Sequence, residues 1–112
     1  MAIADADYFD WPVLPEAPSS LSIVVAGSSA KLSWEVHGGD PTNIVVERKV
    51  ESSESDTKAT WTRIAKLPNT ATEYSDSSLK KGDRFAYRVR AVNSDGESAY
   101  SNIVRSVDPM RQ

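Results

Sequence analysis

Residues 85–102, FAYRVRAVNSDGESAYSN, alternate bulky and charged side chains, break at a cluster of turn formers and then resume a strand-like pattern. Side chains of an extended chain point alternately to opposite faces. Phe85, Tyr87, Val89 and Ala91 therefore share one side, and Ala86, Arg88, Arg90 and Val92 share the other. The first side suits burial and the second suits water. Between the two extended runs, Asn93-Ser94-Asp95-Gly96 supplies the turn, and Asp-Gly is a strong hairpin signal.

The same two-residue period recurs upstream. LSIVV (21–25) puts Leu21, Ile23 and Val25 on one face, and KLSWEV (31–36) does so with Leu32, Trp34 and Val36. HGGDP (37–41) is a turn, because glycine tolerates positive φ and proline presets its own. TNIVVERKV follows as a third strand, with Ile44 and Val46 inward and Val45 and Glu47 outward. ESSESDTKA (51–59) is polar throughout and reads as a loop. TWTRIAKL, a Pro-Asn-Thr turn and ATEYSD around Tyr74 complete the series, with Trp34 and Trp61 both expected in the core. Short strands at this spacing, with no helical periodicity, predict an all-β fold: a seven-stranded antiparallel β-sandwich.

A chain of 112 residues suits one domain that buries roughly two-thirds of its unfolded surface. With no cysteine and the single histidine His37, it offers neither a disulfide, a thiol nucleophile nor a zinc cluster. Apolar packing alone must hold it. Thirteen Lys and Arg against sixteen Asp and Glu give a net charge of −3, which argues against a nucleic-acid or anionic-membrane surface. Asp5, Asp7, Asp10 and Glu16 all precede the first base, so the rest of the chain is nearly neutral. No apolar run is long enough to span a bilayer, and the first ten residues lack the basic and apolar regions of a secretory signal, so a signal for export is expected outside this chain.

In this order and spacing, the segments PEAPSSL, LSW with Trp34, VVERK, TWTRIA, TEYSDSSL leading to Leu79, and FAYRVRAVNSDGESAYSN resemble a fibronectin type III domain. The resemblance runs from about Pro15 to about Val107. It implies an immunoglobulin-like sandwich over 15–107, a linker or tail at 1–14 and a short tail at 108–112. It also implies a non-catalytic module: a spacer, bead or binding scaffold of a larger protein. One position departs from the family pattern. Six residues after Leu79, where a tyrosine usually bonds back to the backbone, this chain has Phe85, and Tyr87 follows on the same face.

Catalytic candidates are few. His37, Asp40 and Ser33 stand near one another in sequence, but nothing resembles Gly-x-Ser-x-Gly, a carboxylate pair or a phosphate-cradling loop. No catalytic, metal or cofactor site is expected. Lys81-Gly82-Asp83 resembles an integrin-recognition tripeptide, but in this family the segment is a tight turn, and adhesive tripeptides occupy the loop at Asn93, Ser94, Asp95 and Gly96.

The candidate interaction surface is that loop together with Arg88, Arg90 and Trp11. Outward Arg88 and Arg90 face Glu47 on the neighbouring strand, which gives them a structural reading as cross-strand pairs. Tyr8, Phe9 and Trp11 stand in the proline-bounded acidic stretch DYFDWPVLP, more aromatic than a solvated linker needs. Three readings stand: they fold back on the sandwich, they meet a neighbouring domain or subunit, or they form a disordered tail.

The expected function is a structural and protein-interaction module of a larger extracellular or cell-envelope protein, monomeric in isolation, with a protein partner or neighbouring domain. A second class is an ancillary carbohydrate-binding domain of a secreted polysaccharide hydrolase, with Trp61, Tyr100 or Trp11 as the sugar platform; a third is a phage or virion structural module. None of Asn43, Asn69, Asn93 and Asn102 has Ser or Thr two places on, which mildly favours a bacterial source.

Overall fold

The computed structural model describes residues 13–51, 58–80 and 83–106. These residues form β1 (Ser19–Ala26), β2 (Ser29–Glu35), β3 (Asn43–Glu51), β4 (Trp61–Pro68), β5 (Glu73–Asp76), β6 (Arg84–Asn93), β7 (Gly96–Glu97) and β8 (Val104–Arg105), with no helix among them. One sheet has the order β1-β2-β5; the other has β4-β3-β6-β7, with β8 also on β6. Every pairing is antiparallel. The chain is therefore an all-β sandwich of the immunoglobulin-like kind.

The alternation read from the sequence fills the space between the sheets. Leu21, Leu32 and Trp34 come from one inner face, and Ile44, Val46, Phe85, Tyr87, Val89 and Ala91 from the other. The Trp34 indole N–H donates to the Ala71 carbonyl at 3.0 Å, which satisfies its one polar atom.

Three expectations require correction. Val25 keeps its inward parity opposite Ala30, yet it lies at the hairpin end of an edge strand and is 42% exposed. Trp61 is not in the core, because pairing of β3 with β4 shifts register between Val46 and Glu47 and leaves Ile64 as an extra residue. Without that bulge Trp61 would oppose inward Val50; with it, Trp61 opposes outward Lys49. Finally, the last strand is regular only at its two ends, β7 and β8.

Between β7 and β8, and directly after β8, serines take over the ladder. Ser98 donates its amide to the Ala91 carbonyl at 2.8 Å while its hydroxyl accepts the Ala91 amide at 2.9 Å. Ser101 does the same for Val89, and Ser106 for Phe85. Each serine thus closes with its own side chain a ring that normally needs two backbone groups. Asn102 extends the stitching to the other sheet, since its carboxamide accepts from the Leu21 amide and donates to the Leu21 carbonyl, both at 2.9 Å.

The aromatic departure at Phe85 is resolved one turn of the pleat further on. Phe85 fills the core, and the Tyr87 hydroxyl crosses the sandwich to donate to Asp76 Oδ2 at 2.7 Å. Arg48 Nη1 donates to the same oxygen at 2.8 Å, while the Ser78 hydroxyl and amide donate to Oδ1 at 2.6 and 3.1 Å. Burial alone raises the Asp76 pKa, but the bonds from Ser78, Tyr87 and Arg48 outweigh it and hold the carboxyl at about 2. Burial and the neighbouring Asp76 carboxylate push the Tyr87 phenol up.

Asp76 has its pKa depressed by folding, so its contribution is present above the ordinary value of 3.8 and is lost as pH falls towards about 2. That contribution is about 2 kcal/mol. Urea unfolding across this window should show the loss in the parent chain and a flatter profile in Asp76→Asn. Tyr87→Phe should cost about 1.5–3 kcal/mol at neutral pH, the range of a hydrogen bond to a charged group. In the serine seam, Ser98→Ala and Ser101→Ala should each cost about 1–3 kcal/mol through an orphaned amide, and hydrogen exchange should quicken at Ala91 and Val89 respectively.

Candidate interaction face

The outward side of the second sheet is not the solvated surface that its polar composition suggests. Val45 and Glu47 point outward as expected but are buried. Register explains the cover: β3 pairs Glu47 with Arg88 on β6, Val45 with Arg90, and Lys49 with Trp61 on β4. Long side chains from β3, β4 and β6 therefore converge over Glu47.

Arg88 sets both Nε and Nη2 at 2.8 Å from Glu47 Oε1. The Tyr100 hydroxyl donates to Oε2 at 2.9 Å, and Arg90 Nη2 lies 3.6 Å from the same oxygen. Arg90 then reaches Glu97 at 2.9 Å. Above the carboxylate the guanidinium of Arg88 lies 3.5 Å from the centre of the Tyr100 ring and 4.1 Å from that of Trp61. Arg90 lies 4.5 Å from Tyr100, and Lys49 lies 4.8 Å from Trp61. The result is a ladder of alternating cations and rings with one carboxylate beneath it. Each cation–π contact is worth about 0.5–2 kcal/mol, rising as water is excluded.

Burial and the Glu47 carboxylate together raise the Tyr100 phenol pKa. At the far end of the face, Lys49 and Arg105 flank Glu51 at 3.3 and 3.2 Å. Burial raises the Glu51 pKa, but the hydrogen bonds from Arg105 and Lys49 prevail and lower it.

The turn at the end of this sheet is equally occupied. Asn93 Oδ1 accepts the amides of Asp95 and Gly96, the local pattern that shapes the turn. Its Nδ2 donates to the Val13 carbonyl at 2.7 Å and to the Gly39 carbonyl at 3.0 Å, and Asp95 Oδ2 accepts the Val13 amide at 3.1 Å. The Glu16 amide donates to the Gly38 carbonyl at 2.9 Å. Gly39 has φ +91°, and a Cβ there would sit 2.5 Å from Pro15 Cα. Gly96 has φ +147°, and a Cβ there would meet Leu14 at 2.8 Å. Gly39 is required by the close approach of the backbone of residues 14–16 as well as by its own dihedral, and Gly96 chiefly by its dihedral, since the Leu14 methyl beside it can move.

With this geometry in hand, the kinship of the chain can be read. Residues 16–107 match the family model described as the fibronectin type III domain. The chain belongs to the fibronectin type III family. Among solved structures, this domain is similar to a Fn3-like protein from Clostridium thermocellum at 28% identity, covering 81% of this chain and 90% of that one with a TM-score of 0.65. It is similar in fold to the titin kinase with its flanking domains (23% identity, TM-score 0.69), covering 87% of this chain and 18% of that one. A pectate lyase from Pectobacterium carotovorum shares the fold at 18% identity and TM-score 0.67, with 84% of this chain and 28% of that one covered. The fibronectin type III domain is in general a non-catalytic module of larger proteins.

In this fibronectin type III domain the sequence-predicted residues fall into two groups. Arg88 and Arg90 join the outer-face ladder, while Asn93, Ser94, Asp95 and Gly96 form the turn that holds residues 13–16. Trp11 lies outside the described residues, as do Tyr8, Phe9, Lys81 and Gly82. Asp83 donates its amide to the Lys80 carbonyl at 3.1 Å. His37 Nε2 lies 2.7 Å from Ser19 Oγ, and Ser33 shares its hydroxyl with Ser22 at 3.0 Å. The histidine and Ser33 thus have separate partners.

Sequence reasoning paired Arg88 with Glu47 but missed Glu97, Tyr100 and Lys49 as further rungs. Their alternation with Trp61 depends on the bulge. For a sugar platform, Trp61 and Tyr100 would need open ring faces, whereas each ring is flanked by two cations.

Glu47→Gln removes the charge at the centre of the ladder while keeping its shape. The expected loss in urea unfolding is about 2–4 kcal/mol, somewhat below that of a fully buried pair because the arginines retain some solvent. Tyr100 should ionise above the pH of free tyrosine, and by ultraviolet titration its ionisation should move to lower pH in the variant.

Proposed function

We propose that this chain is a structural and protein-interaction bead of a larger extracellular or cell-envelope protein, a domain that fixes the direction in which the preceding part of the chain arrives. The observation that carries this reading is the clamp on residues 13–16. Asn93, Asp95 and Gly38 hold the incoming backbone through three hydrogen bonds, and Gly39 and Gly96 lie in close approach to residues 14–16. A turn whose polar groups are spent on the chain's own incoming segment acts as a junction. The neighbour presented there, whether a domain or a partner protein, meets a stiff pole.

The same reading makes Arg88 and Arg90 part of the scaffold that keeps the bead stiff. Pro15 within the clamp and Pro18 two residues beyond it, both buried, restrict the path further. Export and envelope location form part of the proposal and are checked by cell fractionation of the full host protein.

Backbone 15N relaxation tests the junction. The amides of Val13, Leu14 and Glu16 should show order parameters near the rigid value of about 0.85, and Asn93→Ala should drop them towards about 0.6 without unfolding the sandwich. Uniformly low order at Val13–Glu16 in the parent chain would sink the reading. Titration with soluble pectin and glucan fragments should leave tryptophan fluorescence unchanged; a saturable shift would replace the bead by a carbohydrate-binding module.

A further inference from the structure

Beside the ladder, on the same outer face, lies a groove of about 360 Å³ lined by Val45, Glu47, Arg63, Lys66, Arg90, Val92 and Glu97. Its two carboxylates are already engaged with Arg88 and Arg90. Arg63 and Lys66 differ from the other cations of the face: they stand exposed on edge strand β4 and have no ion-pair partner among the described residues. Arg90, which also lines the groove, has its Nε buried without a hydrogen-bond partner among the described residues. The groove therefore has an apolar floor at Val45 and Val92 and a cationic wall that nothing described neutralises.

We propose that the acidic, aromatic segment of residues 1–12 docks in this groove, with its carboxylates at Arg63 and Lys66 and its rings towards Val45 and Val92. Three observations converge on this occupant. The segment contains Asp5, Asp7 and Asp10, no lysine or arginine, and the aromatics Tyr8, Phe9 and Trp11. Its point of attachment is beside the groove, because Val13 is bonded to Asn93 and Asp95, and the Asn93–Gly96 pair is one register step from the groove-lining Val92–Glu97 pair. Length is sufficient: crossing from β7 over β6 and β3 to β4 spans roughly 14 Å at the usual strand spacing, and twelve extended residues reach about 40 Å.

Charge attraction across a surface groove weakens with salt, since the Debye length falls from about 30 Å at 0.01 M to about 3 Å at 1 M. Docking should therefore be strongest at low ionic strength. The inference goes beyond the bead reading, because it concerns what the chain does with its own leading segment in the absence of any neighbour.

The chain has no cysteine, so Ala6→Cys allows a single nitroxide to be attached between Asp5 and Asp7. At low salt the amide signals of Arg63, Lys66 and Val92 should lose most of their intensity relative to the reduced label, while those of Val24 and Lys31 on the other sheet keep theirs. Arg63→Glu with Lys66→Glu should restore the signals, and adding Asp7→Lys with Asp10→Lys should abolish them again. Both pairs are on the surface, and an unchanged dispersion of the remaining amide signals confirms that the fold is kept. Equal broadening of the two sheets, or broadening indifferent to the charge reversals, overturns the proposal. Broadening in a mixture of isotope-labelled parent chain and spin-labelled unlabelled chain assigns the groove to a second copy and overturns it as well.

Discussion

Strand β6 runs through the middle of its sheet and is covered on both faces, so each of its amides and carbonyls must find a partner without help from water. β3 supplies partners along one edge for nine register positions. Along the other edge only β7 and β8 are regular strands, and Ser98, Ser101 and Ser106 make up the difference with their hydroxyls. With both edges met, β6 can present Phe85, Tyr87, Val89 and Ala91 to the core and Arg88 and Arg90 to the outer face in fixed positions. The core and the ladder are two sides of one satisfied strand.

Polar groups in this domain are concentrated where burial makes their bonds matter. On the inner side, Asp76 gathers Tyr87, Arg48 and Ser78. On the outer side, Glu47 gathers Arg88, Arg90 and Tyr100. Each carboxylate accepts from donors on other elements, Asp76 from β3, β6 and Ser78 and Glu47 from β6 and Tyr100, so each ties together elements that hydrophobic contact alone would leave free to slide. Hydrophobic packing sets the sandwich, and these two carboxylates help set its register.

Much of this was legible in the residues. Alternation placed Leu32, Trp34, Ile44, Val46 and Val89 correctly because period two is fixed by the pleat, and it placed Arg88 opposite Glu47 because antiparallel neighbours share that parity. What stayed hidden was non-periodic. Ile64 carries no mark of a bulge, yet its extra residue turns Trp61 from the core to the outer face. Val25 has the right parity but lies on an edge strand, beyond the reach of the other sheet, and parity says nothing about coverage. The serines of SAYSN and the Ser106 that follows read as turn or surface residues, because their role as surrogate backbone requires the β6 amides to be in place first. Asn93 reads as a turn former, which it is; its second duty, gripping Val13 eighty residues away in sequence, has no local signature.

The two ends of the sandwich differ in how freely they tolerate new sequence. Around Gly27, in the hairpin between β1 and β2, nothing lies within 4 Å of a Cβ that might be added, and only the positive φ restricts the choice. At Gly39 the incoming backbone, and at Gly96 the Leu14 side chain, already fills the space. Diversifying residues 93–96 to create a new binding specificity would thus also unmoor whatever is attached upstream and change its orientation. The hairpin tip is the better place to graft a foreign peptide, because the geometry of the chain as a whole survives the change there.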